Sequence, residues 1–114
     1  MSTTEIRPWG RFTVLDESAV HKAKHIRVEP GRRLSYQRHR RRSEHWFVVT
    51  GPIHVTVGDE ERILRAGESI DIPAGAAHRA ANPGTHPVIF IEVQTGDYFG
   101  EDDITRITDD YERA

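Results

Sequence analysis

The chain has 114 residues, enough for one hydrophobic core and too few for a second catalytic domain, since autonomous domains cluster at roughly 100 to 150 residues. Hydrophobic residues make up 36% and charged residues 30%, a polar mixture that still supplies one compact core and excludes disorder of the whole chain. Sixteen Lys and Arg against 18 Asp and Glu leave a formal charge of −2, so no global field gathers nucleic acid or an anionic membrane, and neither partner is expected.

From the N-terminus, residues 1–5 carry no apolar signal segment and are expected to fray, as are residues 109–114. Between them run short β-branched and aromatic stretches divided by Gly, Pro, Asp and Asn. They predict strands over residues 11–15, 23–28, 34–39, 45–50, 53–57, 61–64, 69–72, 78–81, 87–94 and 105–107. Residues 57–60 read as a hairpin tip with Gly58 at positive φ. No window holds apolar residues at helical spacing for three turns, and the gaps are too short for parallel crossovers. About ten antiparallel strands with covered edges predict an all-β jelly roll, one domain over residues 1–114 with its core in about 7–108. The longest apolar run, residues 88–91, is far too short to span a bilayer. A cytoplasmic location is expected. With no cysteine, any metal must be held by nitrogen and oxygen.

The stretch from Gly31 to Gly51 carries Gln37 and His39 two apart, on one face of a strand, and Glu44 beyond a short polar bend. A second stretch from Gly67 ends Pro73-Ala74-Gly75-Ala76-Ala77-His78, with Asn82 further on and a turn forced at Pro73 and Gly75. A barrel can bring His78 opposite the other three. These spacings resemble the two motifs of the cupin superfamily, G-x5-H-x-H-x4-E-x6-G and G-x5-P-x-G-x2-H-x3-N, with Gln37 in place of the first histidine. The resemblance implies a double-stranded β-helix and a divalent ion held by Gln37, His39, Glu44 and His78. Zn²⁺ comes first among Zn²⁺, Mn²⁺, Fe²⁺, Co²⁺ and Ni²⁺ for such a set.

Arg7-Pro8-Trp9-Gly10, residues 22–26, Leu34-Ser35-Tyr36-Gln37, Glu44-His45-Trp46, His78-Arg79 and residues 96–104 narrow the resemblance to the type II mannose-6-phosphate isomerase cupin. Arg40 and Arg41 stand where that family usually has histidines. The resemblance implies a metal-dependent isomerase that interconverts mannose 6-phosphate and fructose 6-phosphate. Many relatives also carry an N-terminal guanylyltransferase. With 114 residues and no glycine-rich phosphate loop, no guanylyltransferase activity is expected. Two rivals remain: a non-catalytic metal or sugar-phosphate module, and a small iron-dependent dioxygenase.

Within residues 38–42, Arg41 and Arg42 read either as a solvated basic bend or as a clamp for a sugar phosphate, with Arg79 a further phosphate or interface residue. Of 16 cationic side chains only Lys22 and Lys24 are lysines, on the strand face shared by Ile26 and Val28. They read either as a surface pair or as catalytic residues at the barrel mouth; with a hydroxide on the ion, they are the candidate bases. His45 is expected to pack on the face opposite Glu44, Trp46 to fill the barrel core, and Asn82 to tie the following turn. Exposed sheet edges predict a homodimer, with the N-terminal segment around Trp9 packed on the partner.

Overall fold

The computed structural model describes residues 3–111, and they form eleven strands and no helix. A six-stranded sheet has the order β1-β2-β3-β10-β5-β8, from Thr3–Arg7 (β1), Gly10–Glu17 (β2), His21–Val28 (β3), Arg42–Thr50 (β5), Ser69–Ile72 (β8) and Val88–Gly96 (β10). A five-stranded sheet has the order β11-β4-β9-β6-β7, from Tyr36–Arg38 (β4), Ile53–Val57 (β6), Glu60–Leu64 (β7), His78–Ala81 (β9) and Thr105–Thr108 (β11). Every pairing is antiparallel, as connections too short for crossovers require.

Period-two alternation builds the core. On β5 the buried positions are Arg42, Glu44, Trp46 and Val48; on β10 they are Val88, Phe90, Glu92 and Gln94. One end of each strand therefore carries apolar side chains and the other end polar ones. The apolar ends meet Phe12, Ile26, Val28, Ile53, Val55, Leu64, Ile72 and Ala80 and close one end of the barrel. The polar ends line the other. Trp46 packs against Phe90 with ring centroids 4.7 Å apart, so it belongs to the core as its phase required.

Several expectations are corrected. Residues 3–5 do not fray: they belong to β1, which pairs with β2 from Thr3↔Val14 to Arg7↔Gly10. At the other end Asp110 pairs with Arg33 and the Tyr111 hydroxyl donates to the Arg33 carbonyl. Residues 1–2 and 112–114 of those expectations lie outside the described residues. Trp9 itself is buried in its own core. His45 does face away from Glu44, but it is exposed and bonded to Asp71 at 2.6 Å, because the outer face of β5 meets solvent.

Candidate metal centre

The polar end of the barrel is assembled by strand register. In the six-stranded sheet Glu92 pairs with Lys24 on one side and Trp46 on the other, and Gln94 pairs with Lys22 and Glu44. Opposite them Gln37 of β4 pairs with His78 of β9, which puts both side chains on one face. His39 follows β4 directly. Its carbonyl accepts from Gly75 N at 2.7 Å, tying the first ligand stretch to the turn that precedes His78. Gly75 sits at φ 86°, a left-handed conformation that glycine adopts without a Cβ penalty.

His39 Nε2 lies 3.4 Å from Glu44 Oε2, and His78 Nε2 lies 3.7 Å from Glu44 Oε1. One donor atom from each of the three residues falls within 4.8 Å of the others, and all three residues are buried. Both imidazoles are fixed in one tautomer. His39 Nδ1–H donates to the Asp103 carbonyl at 2.7 Å, and His78 Nδ1–H donates to the Ala76 carbonyl at 2.9 Å. Each ring therefore turns an Nε2 lone pair inward, the arrangement that outer-shell bonds impose on metal-ligating histidines. His78 Nε2 is buried and has no hydrogen-bond partner. An orphaned acceptor beside a carboxylate and a second imidazole is what a divalent ion would satisfy, so this donor set fits one.

Burial sets the protonation. It lowers the His39 pKa to about 4, helped by the positive charge of Arg42, and it lowers that of His78 as well. Both rings are neutral at pH 7. Glu92 moves the other way, to about 7, through burial and through the nearby Glu44 carboxylate. Trp46 Nε1 donates to both acids, at 2.9 Å to Glu44 and 3.0 Å to Glu92, and Gln94 donates to Glu92 at 2.7 Å. The cavity in front of this cluster measures about 90 Å³; its walls include Lys24, Gln37, His39, Arg42, Glu92 and Glu101.

Residues 1–109 match the mannose-6-phosphate isomerase C-terminal family over nearly the whole chain. The chain belongs to that family. It is 50% identical over 105 residues to mannose-1-phosphate guanylyltransferase 2 of Escherichia coli O157:H7, covering 92% of this chain and 22% of that protein. It is 49% identical over 108 residues to the alginate biosynthesis protein AlgA of Pseudomonas aeruginosa, covering 95% and 22%. The chain thus spans less than a quarter of the length of these relatives. Among solved structures it resembles the capsular polysaccharide assembling protein CapF of Staphylococcus aureus, with TM-score 0.83 and 20% identity over 95% of this chain and 33% of that one. It also resembles KdgF from Halomonas sp., with TM-score 0.78 and 18% identity over 90% and 89%. A protein with a double-stranded β-helix domain from Klebsiella pneumoniae aligns with TM-score 0.73 and 23% identity over 82% and 80%. At these identities the likeness fixes the cupin barrel fold.

Within this member of the family, the structure brings His39, Glu44 and His78 together and sets Gln37 in the same cavity wall, where its Oε1 accepts from Ser35 Oγ at 2.8 Å. Lys24 points inward and is 4% exposed, with Nζ 4.1 Å from the Phe12 ring centroid and 3.4 Å from each Glu101 carboxylate oxygen. Lys22 shares its face one step further along β3 but is not part of the cavity wall. The arginines divide. Arg42 is buried, its Nε 3.0 Å from Glu44 Oε2, so it is no solvated bend. Arg41 is drawn outward to Asp97 and the Tyr98 ring. Arg79 faces away from His78 and donates to the Leu34 and Thr108 carbonyls. Of the three arginines expected at a substrate phosphate, Arg42 lines the cavity and Arg41 and Arg79 do not.

Sequence reasoning missed Glu92, Gln94 and Glu101, and the bond between Asp103 and His39. Glu92 and Gln94 had a signal, because they keep the phase of Val88 and Phe90 on a strand read correctly. Asp103 acts largely through its backbone, whose carbonyl orients His39, while its carboxylate accepts from Arg40 N and Arg41 N and pins the bend before β5. No local pattern announces a backbone acceptor.

Proposed function

We propose that this domain is a metal-dependent aldose–ketose isomerase that interconverts mannose 6-phosphate and fructose 6-phosphate. The observation that carries it is the pair of tautomer-fixed imidazoles converging on Glu44 beside buried Lys24 and Arg42, in a family described by that activity. Gln37, His39, Glu44 and His78 would hold the ion, Zn²⁺ before Mn²⁺, Fe²⁺, Co²⁺ or Ni²⁺. When bound, the ion would supply Lewis acidity to the sugar's carbonyl oxygen.

The remaining work falls to the chain's own side chains. Lys24 sets its Nζ between an aromatic face and a carboxylate, which suits it to holding the phosphate. The carboxyls in the cavity wall outside the ligand set, Glu92 and Glu101, are the candidates to carry a proton between C2 and C1. A cavity of about 90 Å³ takes the ion and a few waters, so the phosphate end of a hexose phosphate stays at the mouth, where Glu101 lies with Lys24 directly behind it. AlgA and XanB are named for alginate and xanthan biosynthesis, and a place in polysaccharide precursor supply is part of this proposal.

The test is a coupled assay for fructose 6-phosphate formation from mannose 6-phosphate, on protein loaded in turn with Zn²⁺, Mn²⁺ and Co²⁺. Turnover that requires the ion supports the isomerase. Sugar-phosphate binding without turnover identifies a non-catalytic module, and oxygen consumption with Fe²⁺ identifies a dioxygenase.

A further inference from the structure

We propose that Arg42 is an internal cation seated in the ligand set, and that a divalent ion enters only by displacing its guanidinium toward Glu101 at the cavity mouth. This inference rests on the metal-centre reading above.

The argument begins with one lone pair. His39 commits Nδ1–H to the Asp103 carbonyl, so Nε2 is its sole acceptor, and Arg42 Nη2 already donates to it at 3.1 Å. The lone pair that would bind an ion is thus in use. The same guanidinium donates through Nε to Glu44 Oε2 at 3.0 Å, so one planar fork engages two of the three donors. Arginine cannot make way by losing a proton, because its guanidinium stays charged at any pH a folded protein meets. It has to move.

The structure supplies a destination. Arg42 Nη1 is buried without a hydrogen-bond partner, and the nearest carboxylate oxygen beyond the ligand set is Glu101 Oε2, 3.8 Å away. Glu101 is half-exposed at the mouth and already faces Lys24. A swing toward Glu101 gives Nη1 its missing acceptor, frees His39 Nε2 and Glu44 Oε2, and sets a second cation beside Lys24. Metal entry and assembly of an anion-binding pair then become one event. A fixed brace that merely orients Glu44 would have the opposite consequence: its removal would weaken the ion.

The experiment measures ion affinity on the chelator-treated full chain, using Co²⁺ and Zn²⁺ in competition with a chromophoric chelator, for the parent protein, Arg42→Met and Arg42→Lys. Removing the competitor tightens binding by about tenfold or more in Arg42→Met, the equivalent of one or two charge-assisted hydrogen bonds, with Arg42→Lys in between. Arg42→Met also strips Glu44 of a buried counter-charge and can lose its fold. A second measurement therefore uses the parent alone. The Arg42 Nε–H resonance, protected from exchange by its bond to Glu44, shifts and loses protection on saturation with Zn²⁺. Unchanged or weaker ion binding by a folded Arg42→Met, or an unperturbed Nε–H signal at saturation, overturns the displacement and leaves the metal centre standing. Failure of every protein to bind an ion overturns both. Sugar turnover enters neither readout.

Discussion

Replacing Glu92 by Gln in the metal-free protein separates two buried ionisations that oppose each other. Burial, reinforced by Arg42, holds His39 at about 4 against an ordinary 6.5. Burial, reinforced by Glu44, holds Glu92 at about 7 against an ordinary 4.5. Below pH 6.5 the unfolded chain protonates His39 and the folded chain does not, so acidification toward 4 costs stability. Between 7 and 4.5 the folded chain protonates Glu92 while the unfolded chain leaves it ionised, so acidification through that window adds stability. At about 1.4 kcal/mol per pH unit, each group contributes about 3 kcal/mol across its window, with opposite sign. The two cancel where the windows overlap. His78, displaced in the same direction as His39, adds to the acid-sensitive side.

Glu92→Gln removes one member and keeps the shape. The new amide can accept from Trp46 Nε1 as the acid does, and Gln94, whose Oε1 has no hydrogen-bond partner, can turn its amide to accept from the new NH₂. Urea midpoints of parent and variant, measured from about pH 7.5 to pH 4.5 with chelator present, report the difference. The variant is the more stable protein at the upper end, and its advantage shrinks by about 3 kcal/mol at the lower end as the parent's acid takes up its proton. Surface contributions are common to both and drop out, while His39 and His78, which the Glu92 charge raises, fall further in the variant and add to the same loss on acidification. Parallel curves would refute the claim that Glu92 is buried at the expense of its charge.

Three further outcomes are expected. Lys24→Met raises the KM for mannose 6-phosphate by about tenfold or more with a smaller effect on kcat, whereas Arg41→Ala and Arg79→Ala stay within about twofold, because only Lys24 of these three reaches the cavity. Equal KM values in all three would return Arg41 and Arg79 to the site. His78→Ala lowers bound metal, read by elemental analysis after dialysis, and weakens Co²⁺ binding by more than the roughly 10–100-fold that loss of an outer partner costs. Retained metal would remove His78 from the ligand set. The exposed outer strands β1 and β8 lead us to expect a homodimer, checked by light scattering; a monomer mass at working concentration removes it.

Most of the barrel was legible because alternation and turn residues state it locally. Residues 53–57, 69–72 and 78–81 are strands with the expected limits, and Gly58 takes φ 58° at the expected hairpin tip. β1 was not legible, since Thr3-Thr4-Glu5-Ile6-Arg7 buries little and is held by backbone pairing to β2, which leaves no hydrophobic period. At the centre, spacing identified His39, Glu44 and His78 because ligand spacing is a property of strands and turns. The roles of the arginines were not legible: Arg41 and Arg42 are neighbours in sequence, but Arg41 lies in the bend before β5, drawn outward to Asp97, while Arg42 opens β5 on its buried face. Glu101 reaches Lys24 across 77 positions of sequence, a separation at which only the closed barrel sets the pairing.

The charge balance of the cavity argues that ion and anion arrive together. Lys24 and Arg42 face Glu44 and Glu101, Arg7 and Arg106 add two further cations to the cavity wall, and Glu92 is held near 7. A divalent ion added to that set leaves surplus positive charge among largely buried side chains, where uncompensated charge is costly. An entering phosphate relieves it. Ion affinity should therefore rise with inorganic phosphate present, by about fivefold or more, and phosphate affinity should rise by the same factor with the ion present, since coupling between two bound species is reciprocal. Mn²⁺ titrations followed by calorimetry, with and without phosphate, measure the first half, and phosphate titrations of the Mn²⁺-loaded protein measure the second. Lys24→Met, which removes one of the cations the phosphate would meet, reduces the coupling while leaving the four proposed ligands in place. Ion binding indifferent to phosphate would show that the two sites do not share a field, and the sugar phosphate would then have to be held somewhere other than the mouth of this barrel.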